Sequence, residues 1–187
     1  MATDWRAALE THRDRKDEYF AEDPHSPIPP EERGDFDGLD YYPPDEAFRF
    51  VLPLHEHDER ERVTVGTSTE GQQTYVRWGE FRFSVGGESV SLQAYKSDPG
   101  EDRLWVPLRD ATSGEATYGA GRYLDLEEDE HRTDGGEWIL DFNAAYNPYC
   151  AYSAAYECPL IPMENWLDVR IEAGEKAYDS AEAYEAD

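Results

Sequence analysis

The sequence predicts a mainly β, antiparallel domain, barrel-like or sandwich, with one N-terminal helix packed on it. Three observations carry this. From residue 47 onward, bulky apolar side chains recur with a period of two in short runs bounded by Gly, Pro, Asn and Asp. Aromatic residues make up 13% of the chain, and their side chains fit pleated, half-buried surfaces. The long helices that repeated βαβ crossovers need are missing, which argues against a doubly wound sheet.

The 187 residues fit one domain. Residues 1–23 form its helix, 24–46 a proline-rich connector, 47–176 the β domain and 177–187 an acidic tail. In the helix, Trp5, Ala8, Leu9, His12, Tyr19 and Phe20 fall near one face, with Thr3 or Asp4 as cap. Arg15 and Lys16 interrupt that face, so the helix is expected to lie across a sheet edge or an open barrel end. Arg6, Glu10, Arg13, Asp14 and Asp17 fall on its polar remainder. Pro24, Pro27, Pro29 and Pro30 should hold the connector extended over the surface, anchored by Phe36, Leu39, Tyr41 and Tyr42.

Phe48, Phe50 and Leu52 mark the first strand, and Val63 and Val65 a short second one. Tyr75 to Val85 and Ser89 to Tyr95 flank Gly86-Gly87, a tight hairpin turn. Leu104 to Leu108 is a strand whose Pro107 suggests an edge or a bulge. Tyr118 to Leu126, Trp138 to Phe142 and Leu167 to Ile171 complete the strands, with Asp134-Gly135-Gly136 as a turn.

Charge sets the solvent regime. Acidic residues number 43 against 17 basic ones, for a net charge of -26, and Lys16, Lys96 and Lys176 are the only lysines. The acid is spread along the chain, as in proteins that stay folded in concentrated salt, where repulsion is screened. No basic stripe exists to neutralise phosphates, so nucleic acid is not an expected partner. No apolar run is long enough to span a membrane, and the first residues lack a signal-peptide pattern, so a cytoplasmic location is the expectation.

Chemistry is best sought on three polar segments. The first runs from Asp141 through Asn143, Tyr146 and Asn147 to Cys150 and Cys158. Its Asp and Asn side chains serve either loop architecture or a ligand. The two cysteines read first as free buried thiols; a disulfide or a shared metal is the alternative, but no further ligands stand at structural-zinc spacing. The second segment spans Asp110, Thr117, Gly121 and Arg122. It lacks the lysine and spacing of a phosphate loop. Arg122 could pair with Asp110 or Asp141, or with a bound anion. The third holds Glu164 and Glu172, an acid/base pair only if the fold unites them. No metal or cofactor is expected.

These segments, taken together, resemble the family defined by the domain of unknown function 1684, in a halophilic archaeal form. The likeness covers about residues 5–176. It rests on Ser26-Pro27-Ile28, Phe36-Asp37-Gly38-Leu39-Asp40-Tyr41-Tyr42-Pro43, Asp110-Ala111-Thr112-Ser113-Gly114 and Thr117-Tyr118-Gly119-Ala120-Gly121-Arg122-Tyr123. Most specific is Tyr146-Asn147-Pro148-Tyr149-Cys150-Ala151-Tyr152 with Cys158-Pro159-Leu160, followed by Glu164-Asn165 and Glu172-Ala173-Gly174-Glu175-Lys176. The chain departs from the family pattern at Ala144 and Trp166, where members often carry arginine. The resemblance implies a domain boundary and a motif set, not a reaction.

The functional expectation is a pocket at one end of the β domain that binds a small polar or anionic molecule. Asp110, Thr117, Arg122, Asp141, Asn143, Tyr146 and Asn147 would line it. One alternative is a hydrolase or isomerase with Asp141 or Glu164 as base and Tyr146 as donor. The other is a structural or protein-interaction domain.

Overall fold

The structure, a computed structural model, describes residues 2–178. Residues 179–187 of the acidic tail, and the side chain of Thr3, lie outside what it describes. Helix α1 (Ala2–Glu22) precedes seven strands: β1 (Arg49–Leu52), β2 (His55–Gly66), β3 (Gln72–Val85), β4 (Glu88–Lys96), β5 (Arg103–Leu108), β6 (Arg122–Glu127) and β7 (Trp138–Asp141). A one-turn helix, α2 (Glu128–His131), separates β6 from β7.

Strands β2 to β6 form an antiparallel meander in chain order, and β1 pairs with β7 in a second, two-stranded sheet. The arrangement is sandwich-like, and the barrel alternative is overturned: among the described residues no sheet closes on itself, because the outer strands β2 and β6 do not pair. Chemistry explains the open edge. Residues 55–62 of β2 read His-Glu-His-Asp-Glu-Arg-Glu-Arg and are mostly exposed, a charged edge that discourages further pairing. The outer edge of β6 is occupied instead by Tyr146, whose backbone exchanges both hydrogen bonds with Tyr123.

Gly86 and Gly87, with φ of 57° and 84°, make the predicted two-residue β3–β4 turn, in which both central residues need positive φ. The main core lies between the meander and the β1–β7 ribbon, with Phe81, Leu92, Leu104, Val106, Leu140 and Phe142 at its centre. A second cluster joins α1 to the motif loops through Phe20, Ile28, Tyr118, Cys150 and Tyr152. Tyr95, Trp105, Tyr123 and Ile161 form a third on the opposite face of the meander.

Several elements differ from the sequence reading. The second strand is long rather than short. Residues 118–121 are a turn, so β6 begins only at Arg122. The connector does not simply cross the surface: Ile28 is fully buried, and Pro30–Asp35 coil into a 3-10 helix. Pro107 lies in an inner strand, at a place where the β4–β5 ladder is reduced to the Tyr95–Trp105 pair.

Residues 167–171 are not a strand. Burial alternates from Val169 through Ile171 to Ala173, as the period predicted. Their backbone, however, bonds largely to side chains and single loop residues instead of a strand. The Ile171 amide donates to Asp110, and the Ile171 and Ala173 carbonyls accept from Arg122.

Candidate functional site

The sequence-predicted polar residues divide into two groups. Arg122, Asp110 and Thr117 form a buried knot. Gly121 aims Arg122 inward from φ +102°, where an added Cβ would come within 2.6 Å of the Leu108 carbonyl. The guanidinium is 0% exposed. It donates to the carbonyls of Ala173 and Ile171 (2.9 Å for the latter) and lies 3.5 Å from Asp110 Oδ1. Asp110 also accepts from Thr112 Oγ1 (2.8 Å) and from the Ile171 amide (2.6 Å). Thr112 and Thr117 join hydroxyls at 2.9 Å. Burial pushes the Arg122 pKa down, and Asp110 opposes that shift.

Asn143 and Asn147 serve the same architectural end. The Asn143 side chain accepts from the Asp45 amide (2.9 Å) and donates to the Asp45 carbonyl (2.8 Å), pinning the connector. Asn147 Nδ2 donates to the Lys176 carbonyl (3.0 Å) and to Glu175 Oε1 (3.2 Å). Glu175 is buried and receives Lys16 Nζ at 2.7 Å, a link from α1 into the interior. Burial raises the Glu175 pKa against the opposing pull of Lys16.

Asp141 and Tyr146 form the second group and face a groove of about 840 Å³ between α1 and the β6–β7 side of the molecule. Asp141 accepts from Trp5 Nε1 (2.7 Å) and from the Asn143 amide (2.9 Å), with Arg49 at 3.9 Å. The Tyr146 hydroxyl donates to Asp125, and burial holds its pKa well above the ordinary phenol range. The floor is Leu124, Leu126 and Ile139. Ala144, one of the departures from the family pattern, sits on the rim. Arg122, Asp110, Thr117, Asn143 and Asn147 do not line this groove. Glu164 lines a separate hollow, where it meets Arg77 at 3.2 Å and the Tyr95 hydroxyl. Glu172 engages Arg170 at 3.8 Å.

The helix face read from the sequence is the groove wall: Trp5, Ala8, Leu9, His12, Tyr19 and Phe20 all line it, and so do Arg15 and Lys16. Leu9 and Phe20 of that face dock on the body, joined by residues expected on the polar remainder. Arg13, expected on the polar remainder, is buried and donates to the Tyr42 (2.9 Å) and Asn143 (3.2 Å) carbonyls. Asp17 accepts from the Leu39 amide at 3.0 Å. Periodicity alone could not reveal this second contribution, because charged side chains carry it.

Asn165, fully buried, is a structural residue that the sequence reading does not place among the site candidates. Its side chain accepts from the Gln93 amide (2.8 Å) and donates to the Gln93 (3.0 Å) and Pro107 (2.7 Å) carbonyls. The proline in a strand was the signal that something must bridge there. Cys150 and Cys158 are free and buried, and the Cys150 amide donates to Cys158 Sγ at 3.3 Å. The hydrogen bond from Cys150 draws the Cys158 pKa below the ordinary thiol value, and the same contact pushes Cys150 up.

Among the described residues, no helix is long and apolar enough to cross a membrane. No curated protein matches the chain. It is 44% identical to an uncharacterized protein from gene locus rrnAC0354 of the halophilic archaeon Haloarcula marismortui, known from a solution NMR structure. The match covers 94% of this chain and 95% of that one, with a TM-score of 0.72. Residues 34–176, which include the Arg122 knot, Asn147, Asn165 and Glu175, match the family model described as "Protein of unknown function (DUF1684)", and the chain belongs to that family.

Proposed function

We propose that the chain binds a small, largely apolar molecule in the groove between α1 and the β6–β7 side of the fold. One observation carries this reading: Trp5, Ala8 and Tyr19 of the apolar face of α1 line the groove, and only part of that face, Leu9 and Phe20, is buried against the body. An amphipathic helix ordinarily turns that face inward. Here Ala8, His12 and Tyr19 stay exposed along the groove, and docking falls to Leu9, Arg13 and Phe20. The volume lies within the range of about 300–1,000 Å³ typical of small-molecule sites. Apolar strand residues with a few fixed polar groups, such as the Tyr146–Asp125 pair, suit such a site.

This reading moves the ligand away from Arg122, whose two terminal nitrogens are taken up by backbone carbonyls and Asp110 in the interior. It retains Asp141 and Tyr146 as contact residues. An enzyme with Asp141 as base finds less support, because each Asp141 oxygen already accepts a hydrogen bond, from Trp5 and from Asn143.

The test is a fragment titration followed by two-dimensional amide NMR in molar KCl. Neutral aromatic and aliphatic fragments should shift the amides of Ala8, Leu124, Ile139 and Ala144. Ala8→Trp, a helix-compatible change that fills the groove, should abolish the shifts with the fold intact. Shifts confined to other surfaces, or none at all, would refute the reading.

A further inference from the structure

We propose that the groove selects an amphipathic anion, its apolar body on Leu124, Leu126 and Ile139 and its acidic head on Arg15 and His12 of α1. This rests on the reading of the groove as a ligand site and names what the site prefers. Arg15 and His12 stand three residues apart on the groove face of α1, so their side chains are neighbours. Among the described residues, Arg15 makes no ion pair, hydrogen bond or ring contact, although acidic residues outnumber basic ones 43 to 17. A guanidinium left without a carboxylate in such a chain is unexpected.

The neighbouring charges are already committed. Lys16 donates to Glu175, Asp125 accepts from Tyr146, and Asp141 accepts from Trp5 and Asn143. Glu130, on the lip with His131, is the remaining acid. The uncommitted charge on the helical wall is therefore positive, on a molecule whose net charge is -26. His12 senses it: burial first, then Lys16, Arg13 and Arg15, hold its pKa below the ordinary imidazole value. Charge complementarity of this kind chooses among ligands of similar shape. It also disfavours a second copy of this acidic chain as the occupant, since like charges would be brought together.

The experiment compares 2-naphthoate with the neutral 2-naphthylmethanol by amide NMR titration in about 2 M KCl, where long-range attraction is screened and only direct pairing survives. Naphthoate should bind about tenfold more tightly, as one charge-assisted hydrogen bond allows. Arg15→Gln, at an exposed helical position, should bring naphthoate down to the level of the alcohol, and Arg15→Glu should reverse the preference. Equal binding of the two probes in the groove would overturn the anion selectivity and leave the groove reading standing. Binding of neither would overturn both. So would light scattering that shows a dimer which Ala8→Trp dissolves, because the occupant would then be a second copy.

Discussion

Asn165 stands in for a peptide group. Pro107 has no amide proton, and beside it the ladder between β4 and β5 thins to one residue pair. The carboxamide of Asn165 carries a donor and an acceptor in the geometry of a backbone unit. It satisfies the Gln93 amide and the Gln93 and Pro107 carbonyls in the interior. Removing it leaves those groups buried and unmet, each at about 1–3 kcal/mol. Asn165→Ala should therefore lower the unfolding free energy by about 2–4 kcal/mol in a denaturant titration. Asn165→Asp should be no better, since it loses both donors and adds a charge. A change within experimental error for Asn165→Ala would show that water fills the gap. At this scale the sequence was only half legible. It marked Arg122, Asp110 and Asn147 as unusual, because polar residues gathered between glycines and apolar runs ask for partners. It could not say that the partners are carbonyls of residues 171–176, since that depends on a chain reversal no local pattern encodes.

Strands were legible wherever a neighbouring strand supplies the ladder, as at the β3–β4 hairpin, where period and turn chemistry agree. They were misread where side chains supply it. Residues 167–171 alternate like a strand, yet their backbone leans on Asp110 and Arg122. Helix α1 was legible as a helix and in its apolar face, but only partly in its docking, where Arg13, Lys16 and Asp17 join Leu9 and Phe20. The Lys16–Glu175 pair places a charge against a buried carboxylate and is the best place to test the helix. Lys16→Met should cost about 3–5 kcal/mol at neutral pH, because an uncompensated carboxylate remains buried. The double variant Lys16→Met with Glu175→Gln should recover most of that loss. The pH dependence has a definite sign. Burial raises the Glu175 pKa in the folded state, so between its folded value and the unfolded value of about 4.3 the folded protein holds the extra proton. Stability from this group therefore grows as pH falls through that window. The deficit of Lys16→Met relative to the parent should be smaller near pH 5 than near pH 8, as read by denaturant midpoints at both. A deficit independent of pH would mean that Glu175 is already neutral in the parent protein.

For the whole molecule, the decisive term is long-range repulsion. A net charge of -26 on 187 residues opposes any compact state in dilute buffer. The acid lies mostly on exposed positions: along β2, in the connector and around α2. Exposed charges respond to ionic strength, whereas the Arg122 knot and the Lys16–Glu175 pair, out of solvent, respond little. The screening length falls from about 10 Å at 0.1 M salt to about 3 Å at 1 M, so repulsion between exposed carboxylates is largely screened by then. The melting temperature should therefore climb steeply with KCl up to about 1 M and more gently above it, where only the salt's effect on apolar burial continues to act. Replacing Glu59 and Glu61 of the β2 edge by glutamine should flatten the steep part and leave the gentle part unchanged. It should also promote self-association, because those charges guard an open sheet edge. Differential scanning calorimetry across the salt series, with light scattering on the same samples, reads both effects. A melting temperature that stays level below 1 M KCl would mean that the buried links alone hold the fold and that the acidic surface answers some other demand.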